Sequence, residues 1–212
     1  SYMDKLQEEI AYFAARTGPD YAVETVFFGG GTPSYVPAPA IGRTMENLAR
    51  RFTLRPGAEI TLEMNPGSCE AAKLKDWRGM GINRISMGVQ SFHDDELKFL
   101  GRAHDSREAH AAIRAVREAG YDNFNMDFIF ALPGQTMQKW ENTLEQALAH
   151  DPPHVSAYNL TYEEGTPLAQ QKKDGAVKPL PDNAELRLFR KTIQRLGEAG
   201  LEHYEISNFS KP

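Results

Sequence analysis

Short apolar runs rich in β-favouring residues alternate along this chain with longer stretches in which apolar residues recur every three or four positions, and turn residues separate them. Leu6, Ile10 and Phe13, set among acids and Lys5, predict an amphipathic helix over 2–16, ended by Thr17-Gly18-Pro19-Asp20. A strand follows at 24–28. Pro37 and Pro39 open a second helix with Ile41, Met45 and Leu48 on one face, and Arg55-Pro56-Gly57 closes that segment. The next strand, 59–64, halts at Asn65-Pro66-Gly67, and a helix over 70–80 ends between Gly79 and Gly81.

The pattern then repeats. A strand at 84–89 leads to a short helix at 94–100 and a longer one at 106–119, with Ser106 as N-cap and Gly120 just past the end. The fourth strand, 123–130, is cut by Leu132-Pro133-Gly134, and the helix at 136–150 stops at Asp151-Pro152-Pro153. A fifth strand spans 155–161. A polar connection with Gly165 and Gly175 reaches a helix at 182–197, and 204–207 reads as a sixth strand, with Tyr204 and Asn208 read as part of a turn whose partner is missing from the chain. Strands alternating with helices imply right-handed βαβ units and a parallel sheet, either a (β/α) barrel or an open doubly wound sheet. Because a helix comes first, a strand is expected before Tyr2.

Composition narrows the function classes. The 212 residues are 41% hydrophobic and 25% charged, as in an ordinary globular protein. A net charge of −5 argues against a nucleic-acid partner. No run has membrane-spanning length and no signal peptide is evident, so a cytoplasmic protein is expected. Cys69 is the single cysteine, which rules out an intrachain disulfide and a cysteine-held metal within this chain. Nothing repeats at a solenoid period.

The candidate chemistry lies where strands end. Gly29-Gly30-Gly31 follows the first strand as a ridge of peptide groups with no Cβ atoms, open to a small polar ligand such as an amino-acid head group or a phosphate. In parallel α/β folds ligands sit at the carboxyl ends of the strands. Those ends carry Gly30, Gly31 and Thr32, then Glu63 and Asn65, Gln90 and Ser91, Asp127, and Thr161. Asp127 stands among Met126, Phe128, Ile129 and Phe130, where a carboxylate is costly unless paired. Arg102 is the natural cationic partner. The six histidines show no metal-ligand spacing and read as surface or helix-end residues.

Six motifs, in order, carry a family likeness: Phe28-Gly-Gly-Gly-Thr-Pro-Ser34, Glu63-Met-Asn-Pro-Gly67, Ser86-Met-Gly-Val-Gln-Ser-Phe92, Leu100-Gly-Arg-Ala-His104, Asp127-Phe-Ile-Phe-Ala-Leu-Pro-Gly-Gln-Thr136 and Tyr204-Glu-Ile-Ser-Asn208. Over essentially its whole length the chain resembles the radical S-adenosylmethionine (SAM) proteins related to oxygen-independent coproporphyrinogen III oxidase. The resemblance implies an incomplete parallel (β/α) barrel, TIM-barrel-like, with SAM across the carboxyl ends of its strands. It assigns Gly30, Gly31 and Thr32 to the methionine amino group, and Glu63 and Gln90 to the ribose and methionyl parts. It gives Arg102 to the SAM carboxylate, Asp127 to a second ribose or sulfonium-side contact, and Thr161 to the adenine region through its backbone.

Two branches of that family compete. One decarboxylates a porphyrinogen in porphyrin biosynthesis; the other is a heme chaperone that binds heme and passes it to acceptors in the membrane. Ser91 after Gln90, the Leu-Gly-Arg-Ala-His segment and the Tyr-Glu-Ile-Ser-Asn-Phe tail resemble the chaperone branch. Family members hold a 4Fe–4S cluster with a CxxxCxxC loop, which is absent here, and Cys69 reads as an incidental small residue. The chain is therefore expected to be an interior piece, lacking a first strand and cluster loop before it and a smaller domain after it, and by itself unable to reduce or cleave SAM. Outside the family, a barrel that binds a sugar phosphate on the glycine ridge is the remaining alternative.

Overall fold

The computed structural model describes residues 1–17, 21–68 and 71–212. Cys69, Glu70 and the Gly18-Pro19-Asp20 part of the first helix stop lie outside the described residues. Helix α1 (Tyr2–Ala14) starts with a capping box between Ser1 and Asp4. It leads into β1 (Ala22–Phe28), α2 (Ala38–Arg51), β2 (Thr53–Met64), α3 (Ala71–Gly79) and β3 (Arg84–Gln90). Then come α4 (Asp94–Phe99), α5 (Ser106–Glu118), β4 (Phe124–Phe130), α6 (Met137–Leu148) and β5 (His154–Asn159). The chain closes with α7 (Pro167–Lys173), α8 (Asp182–Glu198), β6 (Glu202–His203) and β7 (Asn208–Ser210).

Strands β1 to β5 lie side by side in sequence order and pair in parallel, as right-handed crossovers through the intervening helices require. β7 then pairs antiparallel to β5, and β6 antiparallel to β7. The result is a curled mixed sheet, an incomplete α/β barrel. The two short antiparallel strands depart from the all-parallel expectation. Residues 204–207, read from sequence as a strand, are instead the turn between β6 and β7, with the Glu205 carboxylate accepting from the Ser207 N–H at 2.8 Å.

Alternation within each strand separates two environments. Ile60, Leu62 and Met64 of β2, Ile85, Met87 and Val89 of β3, Phe124, Met126, Phe128 and Phe130 of β4, and Val155 and Ala157 of β5 pack in one core under the helices. The alternate positions Glu63, Ser86, Gly88, Gln90 and Asp127 line the concave face. Two fully buried indoles lock the helical layer, and the Trp140 indole N–H on α6 donates to Thr192 Oγ1 on α8 at 2.8 Å.

Three local expectations are corrected. Asp105, not Ser106, caps α5, in a capping box with Glu108. Arg55-Pro56-Gly57 does not end a segment: β2 runs through it, and the pairing jumps from Val23 opposite Leu54 to Thr25 opposite Glu59. The polar connection after β5 contains α7, started by Thr166 as N-cap and Pro167 at its first position, signals that are strong but attached to too few apolar residues to show a period.

Candidate functional site

At the first position of the glycine ridge after β1, a side chain would have to displace both Phe27 and Glu63. A Cβ on Gly29 would sit 2.5 Å from the Phe27 ring and 3.3 Å from Glu63 Oε1. Gly30, at φ +97°, then turns the chain so that its N–H points to the Glu63 carboxylate. Thr32 donates to the Gly31 carbonyl at 2.7 Å and accepts from Asn65 Nδ2 at 3.3 Å. Asn65 Oδ1 in turn accepts from the Arg102 guanidinium. Side chains from the ends of β1 and β2 and the segment after α4 are thereby tied together.

Arg102 reaches the site because α4 stops one turn earlier. Gly101, at φ +65°, closes the helix with its N–H on the Lys98 carbonyl, and Arg102 N–H returns to Leu97 O at 2.9 Å. His104, 5% exposed, fixes this segment against β3 by donating from Nε2 to Val89 O at 3.1 Å. Burial, before any neighbouring charge, pushes the His104 imidazole below its ordinary value. It is a core residue, contrary to the surface placement read from sequence.

The end of β3 is strained. The pairing slips between Met87 opposite Met126 and Gln90 opposite Phe128, a bulge that re-aims Gln90, whose φ is +69°. Such a conformation costs a non-glycine residue of order 1–3 kcal/mol. Gly88 lies inside the bend, where a Cβ would come within 2.9 Å of both Asn65 Oδ1 and Gln90 Nε2 and 3.4 Å from Arg102 Nη2. Gln90 Oε1 is buried and has no hydrogen-bond partner in the protein.

On β4, Asp127 Oδ1 accepts from Asn125 Nδ2 at 2.7 Å, and Asp127 Oδ2 lies 3.4 Å from the Ser86 hydroxyl that donates to it. Burial is the main cause raising the Asp127 carboxyl above its ordinary value; hydrogen bonds from Asn125 and Ser86, the nearby Ser156 hydroxyl and the Arg84 charge oppose it. Glu63 is raised chiefly by burial and next by the Asp127 charge, against the Gly30 N–H. Burial likewise draws Arg102 downward, while Tyr35 and Asp127 pull the other way. Two carboxylates thus share a recess with one guanidinium.

The recess holds about 240 Å3 and is lined by Gly31, Thr32, Glu63, Gln90, Arg102 and Asp127 together with Pro33, Met64, Asn65, Ser86 and Gly88. Seven of the sequence-selected residues, Asn65 among them, therefore meet in one place, and Gly30 adjoins them through its N–H. Thr161 does not line the recess; it is exposed, beyond the end of β5. Ser86 and Gly88 were not selected from sequence, although Ser86, Gly88 and Gln90 alternate with the apolar Ile85, Met87 and Val89 and so mark the concave face.

A (β/α) half-barrel with a polar recess at the carboxyl ends of its parallel strands is the architecture in which parallel α/β proteins place their ligand sites. The Radical SAM superfamily model matches residues 2–147, and the chain belongs to that superfamily. Heme chaperone HemW of Escherichia coli (strain K12) is 39% identical over 212 residues, covering 99% of this chain and 53% of that protein. The Danio rerio protein named radical S-adenosyl methionine domain-containing protein 1, mitochondrial, is 37% identical over 89% of this chain and 43% of its own length. Among solved structures, E. coli coproporphyrinogen III oxidase (HemN), described as a radical SAM enzyme, superposes with a TM-score of 0.88 at 30% identity, covering 100% of this chain and 48% of that one. The chain spans about half the length of the relatives it matches.

The superfamily implies SAM and a 4Fe–4S cluster. The recess suits SAM: it offers a guanidinium for a carboxylate, carboxylates for an ammonium or hydroxyls, and the unpartnered Gln90 Oε1 as an acceptor. The cluster does not fit this chain. No group of three or more metal-ligating side chains exists among the described residues, and the sequence has one cysteine. No helix of the described residues is long and apolar enough to cross a membrane.

Proposed function

We propose that this chain is the SAM-holding core of a heme chaperone of the radical SAM superfamily, and that the recess takes the methionyl and ribose parts of SAM. The observation that carries this reading is the meeting of Arg102 with Glu63, Gln90 and Asp127 beside the glycine ridge. Arg102 pairs with the SAM carboxylate, held in place by its bond to Asn65. Gly30, Gly31 and Thr32 face the amino group. Glu63 and Gln90 bond the ribose and methionyl parts, and Asp127 makes the second ribose or sulfonium-side contact. Thr161 meets the adenine region through its backbone, from outside the recess.

In this family bound SAM supplies an adenosyl group for radical chemistry. Within this chain the residues bind and orient; no step that needs the cluster is assigned to them. At the level of the whole protein the reading is capture of heme in the cytoplasm and its delivery to a membrane acceptor; the name heme chaperone, carried by the bacterial relatives, supports the heme-handling part of it. The likeness to HemN favours a second reading, oxidation of coproporphyrinogen III in porphyrin biosynthesis. Stoichiometric heme binding without decarboxylation of coproporphyrinogen distinguishes the first from the second.

Calorimetric titration with SAM tests the site. Asp127→Ala is expected to weaken binding by about tenfold or more, the usual consequence of deleting a hydrogen bond to a charged group. Equal affinity in the variant, with the fold retained by circular dichroism, contradicts the assignment.

A further inference from the structure

A chain of side chains leads from Asp127 out of the recess, across the sheet, to the turn between β6 and β7. Asn125, two residues before Asp127 on the same face of β4, is 3% exposed and donates from Nδ2 both to Asp127 Oδ1 at 2.7 Å and to Ser86 Oγ at 3.0 Å. Its Oδ1 therefore has to accept, and it does so from Ser156 Oγ at 3.2 Å and from His154 Nδ1 at 2.6 Å. That contact puts the His154 proton on Nδ1 and leaves Nε2 as an acceptor, which meets the Tyr204 hydroxyl at 2.8 Å. Reversing the Asn125 amide would turn its oxygen toward the Asp127 carboxylate and its NH2 toward the His154 N–H. The chain has a single sense, every donor pointing toward Asp127.

We infer that Tyr204, His154 and Asn125 are positioning residues for the ligand site, a one-way hydrogen-bond chain that holds the Asp127 carboxylate ionised and aimed into the recess. This rests on the reading that Asp127 contacts the ligand. The physical need is plain: a carboxylate in an apolar strand tends to protonate, and successive donors that polarise one another oppose that tendency. His154 has to stay neutral for the chain to keep its sense. Burial, then the Arg84 charge from β3, push it down to about 4, while Glu59 from β2 and Glu205 from the turn act in the opposite direction. Above pH 5 the imidazole is accordingly neutral. The turn at 204–207, outside the recess, becomes a support for the ligand carboxylate and not only the link between two short strands.

The test uses this chain with His154 labelled at nitrogen and Asp127 at its carboxyl carbon, in the wild type and in Tyr204→Phe, His154→Ala and His154→Gln. Tyr204 is 59% exposed, so its phenylalanine variant loses the hydroxyl and little packing. The wild type is expected to show the Nδ1–H tautomer at pH 7. Tyr204→Phe and His154→Ala are expected to raise the Asp127 titration midpoint by about half a pH unit or more and to weaken SAM binding about threefold. His154→Gln carries an acceptor and a donor in the same order and is expected to restore both readings. An Nε2–H tautomer, or an Asp127 midpoint unmoved in Tyr204→Phe and His154→Ala, overturns the positioning role whatever happens to SAM. A moved midpoint in a chain that shows no SAM binding supports the hydrogen-bond chain and overturns the reading that this chain by itself holds SAM.

Discussion

Gly88 and Gln90 set the shape of the recess at the scale of single residues. A methyl group at position 88 meets Asn65, Gln90 and Arg102 at once, and Arg102 and Asn65 are already bonded to each other. Gly88→Ala is expected to cost about 1–3 kcal/mol, as for other overpacked sites. It is also expected to reduce SAM affinity by displacing the guanidinium. Thermal unfolding and calorimetry on the same sample check both, and an alanine variant with unchanged stability and affinity contradicts the close packing. Gln90 shows what the sequence hides: its place at a strand end was legible, but a left-handed φ in a non-glycine residue depends on the bulge opposite β4, a long-range pairing. Ser86 was legible in principle, since only period-two counting separates it from the buried Ile85 and Met87.

Between elements, buried polar contacts fix how the strand ends meet. The Ser91 hydroxyl, after β3, donates to Glu96 Oε2 of α4 at 2.5 Å, and Glu96 Oε1 accepts from Gln135 Nε2 at 3.1 Å. Gln135 Oε1 completes the arrangement by accepting the Ala131 N–H at 2.8 Å after β4. Truncation by Gln135→Ala leaves that N–H and Glu96 short of partners, and a loss of about 1–3 kcal/mol in urea unfolding is expected. A loss below experimental error contradicts the role. On the helical side, His110 Nδ1 of α5 and His150 Nε2, just past α6, are hydrogen-bonded at 2.7 Å, with the Phe92 ring stacked on His110. Burial, His110 and the Arg114 and Arg117 charges lower His150 to about 4, the value His154 also reaches. In the unfolded chain both take up protons near 6.5, so between pH 6.5 and 4 the unfolded state binds more protons and stability falls as pH falls. His150→Phe is expected to flatten that acid branch of the urea midpoint; an unchanged pH profile contradicts the coupling. The Glu96–Gln135 and His110–His150 pairs were not readable from spacing, because each joins residues tens of positions apart, whereas the Ser91–Glu96 and Ala131–Gln135 contacts are local.

At the scale of the whole molecule, the order of strands and helices was legible because proline and glycine punctuate almost every junction, from Asn65-Pro66-Gly67 to Leu132-Pro133-Gly134. The same punctuation misled at Arg55-Pro56-Gly57, where a neighbouring strand absorbs the irregularity in a slipped register. The polar rim was legible from the rule that parallel strands present their carboxyl ends to ligands, and Glu63, Gln90, Arg102 and Asp127 do converge there. Thr161 was taken from the same rule and lies aside, because β5 ends at Asn159, two residues before it. The most direct test of the central claim is a backbone amide spectrum of this chain titrated with SAM and, separately, with inorganic phosphate. Saturable shifts with SAM at Gly30 to Thr32, Glu63, Gly88, Gln90, Arg102 and Asp127, and none with phosphate, are the expected result. Shifts at the glycine ridge with phosphate but not with SAM, or SAM-dependent shifts confined to other surfaces, would contradict it.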